Sequence, residues 1–180
     1  MPEPKRRLVE RISEAAYLEG LKEIPLADLR GKRDECKEAE TELSFERRLA
    51  QARIDILSAE LDRRAGGGDS ESLMSRLPQI LATEGHSGSQ PLPSRAPDFS
   101  IPRNADIPRR RIEEIVGEQT LSRLPALPNE EVQGILASLA EHEKSLSGRR
   151  RKVQEIMDTV QAEIVRRYVS GEADPTAALG

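Results

Sequence analysis

Apolar side chains return at every seventh position along two separate stretches of this chain. Leu29, Cys36, Leu43, Ala50 and Leu57 form the first series, and Val132, Leu139, Leu146, Val153 and Val160 the second. A seven-residue period returns a side chain to nearly the same face of an α-helix every two turns, and so narrow an apolar seam is satisfied by a second helix. The two series lie 103 positions apart throughout. The same offset carries Ile54 and Leu61 onto Met157 and Ile164, and Arg63-Arg64 onto Arg166-Arg167. A duplicated long helix is the simplest reading. With 2% aromatic and 33% charged residues, the composition favours paired helices over a thick globular core.

Punctuation divides the chain around these stretches. Residues 1–24 read as an N-terminal helical segment, periodic from Arg6 to Leu21 and ended by Gly20 and the Pro25 turn. The first long helix spans 26–64 and stops at Ala65-Gly66-Gly67-Gly68. Residues 65–128 form a connection with a short helix over Ser70–Thr83 and another over Pro108–Gly117. Between them, 84–106 is rich in Gly, Ser and Pro, has no periodicity and reads as disordered. Asn129 is placed to cap the second long helix, 129–169, and 170–180 is a frayed tail. The connection is too long to decide whether the helices run parallel or antiparallel; antiparallel pairing would bring Glu40 near Asp158 and Asp55 near Glu143.

Beside the seam runs a polar stripe, and it too is written twice. Glu40, Ser44, Arg47, Gln51 and Asp55 follow the pattern E-x3-S-x2-R-x3-Q-x3-D; Glu143, Ser147, Arg150, Gln154 and Asp158 repeat it without a change of spacing. Steps of four and three keep all five side chains within an arc of roughly 60–80° over about 22 Å of helix. Interhelical salt bridges in a ligand-free coiled-coil adaptor would account for the charges. They would not require the repeated Ser and Gln. The inventory also suits a nucleobase: arginine donates two parallel hydrogen bonds to guanine O6 and N7, and a carboxylate accepts from guanine N1–H and N2–H₂. Arg48, Arg53, Arg149, Arg151 and Lys152 are near enough in sequence to neutralise phosphates, or they form a solvated basic face.

On these ten residues the chain resembles the RsiG family of actinobacterial anti-sigma factors, cyclic di-GMP-binding partners of the sporulation sigma factor WhiG. The resemblance covers both long helices, and this sequence departs from the doubled motif at no position. It implies an all-α fold, an antiparallel coiled-coil helical hairpin with short accessory helices and a disordered linker. It implies that the ten motif residues contact a dimer of cyclic di-GMP, two molecules per chain, as a regulatory ligand that is not turned over. Loaded protein would hold a WhiG-type sigma factor away from RNA polymerase. Because both copies are present, one chain could complete a site.

Other features narrow the alternatives. Phe45, Leu49, Ala52 and Ile56 make an apolar stripe on the first helix, where the second has Gly148, Lys152, Glu155 and Thr159. Either the chain's own short helices cover it, or Phe45, Leu49 and Ile56 face the partner. Gly148 replaces Phe45 inside the second motif, as a site of close approach or as a tolerated glycine. Net charge is −4 and the basic runs at 109–111 and 149–152 lack aromatic platforms, so direct DNA binding is not expected. With His86 and His142 the sole histidines, and no nucleophile, P-loop or metal motif, catalysis is not expected either. No apolar run reaches about 18 residues, the first residues lack an apolar signal region, and the single Cys36 excludes an internal disulfide, so a cytoplasmic protein is the expectation.

Overall fold

A computed structural model describes residues 8–66, 78 and 100–172, and among them the regular structure is entirely helical. Five α-helices are named here in chain order: α1 (Leu8–Ile12), α2 (Leu26–Ala65), α3 (Asp106–Ile115), α4 (Glu118–Ser122) and α5 (Asn129–Val169). Short 3₁₀ turns at Ala15–Leu18 and Leu124–Ala126 precede the two long helices. The helix expected over Ser70–Thr83 and most of the segment expected to be disordered lie outside the described residues. No helix among the described residues is long and apolar enough to cross a membrane.

The chain forms two compact units, one from residues 1–43 and 148–180, the other from 44–147. Both long helices contribute to both units. In the first unit, Leu29 near the start of α2 packs with Val160 and Ile164 near the end of α5. In the second, Leu57 near the end of α2 packs with Val132 and Leu139 near the start of α5. In each unit the two helices therefore run antiparallel. All ten residues of the seven-residue seam are buried, none more than 1% exposed.

The duplication reaches beyond the long helices. The first unit's core also draws in Leu18, Leu21 and Ile24, and the second draws in Leu121, Leu124 and Leu127, their counterparts at the same 103-residue offset. In each copy the segment before the long helix folds its apolar residues onto the pair.

The amino-terminal segment departs from its periodicity. Instead of one helix from Arg6 to Leu21, α1 ends at Ile12 and a 3₁₀ turn follows. The Ser13 hydroxyl donates to Val9 O at 2.7 Å, a local bond that competes with helix propagation. The break also brings Tyr17 inward. Its hydroxyl lies 2.9 Å from both Lys32 O and Glu35 Oε2, while Lys32 Nζ sits 4.0 Å from the ring centroid. Burial and the neighbouring Cys36 and Glu35 push the Tyr17 hydroxyl above the ordinary phenol range, and burial raises the Cys36 thiol. Asn129, expected to cap α5, is its first residue, and its side-chain oxygen accepts from Arg64 Nη1 at 2.7 Å.

Acids in the first turn (Asp28; Glu130 and Glu131) and arginines in the last suit the macrodipole of each long helix. Gly171, at φ +74°, takes the left-handed conformation beyond the end of α5. Before each helix end, a buried carboxylate grips two arginines. Glu60 accepts from Arg63 Nε at 2.8 Å and Arg64 Nε at 2.7 Å; Glu163 accepts from Arg166 Nε at 2.9 Å and Arg167 Nε at 3.0 Å. Hydrogen bonds from Arg63, then from Arg64, outweigh burial and hold the Glu60 carboxyl down to about 2, and Arg166 and Arg167 do the same for Glu163. A carboxyl lowered by folding stabilises the protein above its ordinary value of 4.5, and that contribution is lost as pH falls through about 2. Urea midpoints followed by circular dichroism are expected to drop between roughly pH 5 and pH 2, and Glu60→Gln is expected to flatten the drop. An equally steep acid loss in that variant would remove Glu60 from the account.

Candidate functional site

The two polar stripes meet across the helix pair, and they meet reciprocally. In the first unit, Glu40 of copy one is buried, 8% exposed, and accepts from copy two: Arg150 Nε at 2.8 Å and Gln154 Nε2 at 3.2 Å. In the second unit, Glu143 of copy two accepts from Arg47 Nη1 of copy one at 3.4 Å and from its own copy's Ser147 Oγ at 2.9 Å. Each motif acid thus faces the arginine of the other motif. In place of the expected pairing of Glu40 with Asp158, Glu40 faces Arg150, eight residues or about two turns earlier on α5. An acid opposite an acid would repel; an acid opposite a guanidinium gains a charge-assisted hydrogen bond.

The remaining motif residues sit alongside. Ser44 is buried in the second unit, where Gln51 and Asp55 are half-buried; Asp158 is exposed in the first. The structure therefore brings together Glu40, Arg150 and Gln154 in one unit and Arg47, Glu143 and Ser147 in the other. Arg47 is the strained member. Its pair with Glu143 is the longer of the two, and its Nε is buried with no hydrogen-bond partner. A buried donor without an acceptor costs free energy comparable to a lost hydrogen bond, about 1–3 kcal/mol.

The flanking cations are unequal. Arg48 donates to Ser100 O at 3.3 Å, and Arg151 is 83% exposed and paired with Glu155 at 3.3 Å. Arg53 and Arg149 are half-buried. Of the apolar stripe, Phe45, Leu49 and Ile56 are all half-buried, and Ile56 packs on the core formed with Val116 and Leu124, so the chain's own elements cover that part. A groove of about 520 Å³ in the first unit is lined by Leu18, Leu21, Thr159 and Ala162, among others, and contains no motif residue. Among the described residues no group of His, Cys, Asp and Glu side chains is placed to hold a metal ion.

A second polar cluster adjoins the motif in the second unit. Glu46, next to Arg47 in sequence, is fully buried. It accepts from Arg111 Nη1 of α3 at 2.7 Å and lies 2.9 Å from His142 Nε2, the residue before Glu143. Burial of this carboxylate is sustained by those two partners. The cluster has no counterpart in the repeat, since Arg149 and Ala39 stand at the offset positions of Glu46 and His142. The comparison that reveals the motif hides a feature present in one copy alone.

A family model described as RsiG-like matches residues 15–81 and 118–179, and the two matched segments begin 103 positions apart, the offset of the motif itself. No curated protein matches the chain.

Gly148 is exposed on α5, and a Cβ added there meets nothing within 4 Å. The helix backbone gains from any side chain that restricts the unfolded chain. Gly148→Ala is expected to raise the unfolding free energy by about 1 kcal/mol, measured as a higher urea midpoint. A lower midpoint would show that something approaches this position closely.

Proposed function

The chain belongs to the RsiG-like family of anti-sigma factors, and on that premise we propose that it is gated by cyclic di-GMP and sequesters a WhiG-type sporulation sigma factor. The family is a regulatory one. The ligand-contacting residues in this reading are Glu40, Ser44, Arg47, Gln51, Asp55, Glu143, Ser147, Arg150, Gln154 and Asp158, with Arg48, Arg53, Arg149 and Arg151 available to phosphates.

One observation carries the reading: in both units a motif carboxylate and a motif guanidinium are held face to face, and one of those guanidiniums keeps a buried donor unmatched. Guanine offers both halves of that pair what they lack. Its O6 and N7 accept two parallel bonds from an arginine, and its N1–H and N2–H₂ donate to a carboxylate. Arg47 and Arg150 would exchange one acceptor for another, so opening each cross-pair costs less than exposing a bare charge. Bound nucleotide supplies the guanine edges and the phosphate charge. The chain supplies the paired acids and arginines. A motif written twice in the sequence suits a ligand with two identical bases.

The same cross-pairs support a second reading, a coiled-coil adaptor in which Glu40–Arg150 and Glu143–Arg47 only fasten the helices. Calorimetric titration separates the two. Cyclic di-GMP added with a WhiG-type sigma factor present is expected to saturate at two molecules per chain. Arg47→Ala or Arg150→Ala is expected to weaken binding at least about tenfold with helix content unchanged. Titrations without heat, both with and without the sigma factor, would leave the adaptor.

A further inference from the structure

Counting seven onward from Leu57 gives Arg64, and seven onward from Val160 gives Arg167. Each apolar seam therefore ends on an arginine. We infer that Arg64 and Arg167 are register-setting residues, each locking the antiparallel pairing of its own unit so that the acid of one motif meets the arginine of the other.

Both side chains stay largely buried, Arg64 at 15% exposed and Arg167 at 10%. Both make several hydrogen bonds. Arg167 donates Nε to Glu163 and Nη2 to Leu21 O at 2.8 Å and Lys22 O at 3.0 Å, the backbone leading into α2. Arg64 donates Nε to Glu60, Nη2 to Leu124 O at 2.6 Å and Nη1 to Leu127 O at 2.7 Å, the backbone leading into α5. Leu21 and Leu124 are themselves counterparts at the 103-residue offset. The end of each long helix is thus tied to the entrance of the other by the same four-part device: an acid, its arginine, and the carbonyl oxygens of an incoming turn. Two copies in one chain make this an independent observation from the motif.

The seam alone cannot do this work. A row of Leu, Val, Ala and Cys every seventh residue is nearly indifferent to a slip of one heptad, about 10 Å along the axis. A polar residue at one seam position removes that indifference, because its hydrogen bonds tolerate only tenths of an ångström. After a slip, the guanidinium would lie in the apolar seam and the carbonyls of Leu21 and Lys22 would lose their donor. The clasp lies seventeen residues from the motif arginine in each helix, Arg64 from Arg47 and Arg167 from Arg150, so it acts on the motif at a distance of about 25 Å.

What the register is for rests on the nucleotide reading above, but the register itself can be measured without ligand. Spin labels at Glu38→Cys and Lys152→Cys, exposed positions of the first unit, report the alignment of α2 on α5 by pulsed electron resonance; Cys36 is buried. The otherwise unaltered chain is expected to give one narrow distance. Arg167→Ala is expected to broaden it or add a population displaced on the order of 10 Å, with helix content retained. In the unlabelled chain the same change is expected to weaken cyclic di-GMP binding about tenfold, with Arg167→Lys between the two. A single unchanged distance in folded Arg167→Ala overturns the inference. If that variant loses its helix signal, Glu163→Gln decides, since it keeps the guanidinium and removes the acceptor that aims it: a displaced distance supports the clasp, an unchanged one overturns it. A displaced distance in a protein whose parent takes up no nucleotide keeps the clasp and removes the nucleotide reading.

Discussion

Burial of one apolar residue in seven is the constraint from which the rest of this structure follows. The seam is too narrow to support a globular core, so each long helix depends on the other and on the turns folded against it. Its ten members are removed from water, at about 25 cal/mol per Å² of apolar surface. That burial fixes which face of each helix is turned inward. It leaves the adjacent stripe at the edge of the interface, half sheltered, where opposite charges attract more strongly than in bulk water. The doubled motif occupies that edge. Its cross-pairs are consequences of the seam's orientation and of the register in which it closes.

The long helices and their shared face were legible in the sequence, because a seven-residue apolar period has few other solutions and here it occurs twice. The ten polar residues were legible for the same reason: duplication turns a weak pattern into a repeated one. Register was not. Periodicity describes which face a residue occupies but not how far along the partner helix it lies, so the acid-to-acid pairing of Glu40 with Asp158 was as compatible with the pattern as the acid-to-arginine pairing seen here. What distinguishes them is contact between side chains and loop carbonyls at Arg64 and Arg167, and a carbonyl carries no sequence signature. The break after Ile12 escaped for a related reason, since the apolar positions continue past Ser13 while the backbone turns on a hydroxyl bond.

Contacts between elements remote in sequence were the least visible. Glu46 reaches Arg111 across 65 positions and His142 across 96. Nothing in the local spacing of any of the three announces the others. Tyr17 finds its partners 15 and 18 positions onward, on α2, and it too goes unannounced, because periodicity gives no weight to a hydroxyl seeking an acceptor.

The Glu46 cluster has a broader meaning for a chain built by duplication. Two identical polypeptides associating about an axis must repeat every substitution on both sides. Copies fused into one chain are released from that obligation, and this chain has used the freedom: one half carries a carboxylate, an arginine and an imidazole where the other carries Arg149, Leu8 and Ala39. The two copies of the motif therefore sit in unequal surroundings, and the chain acquires a direction that its motif alone does not possess.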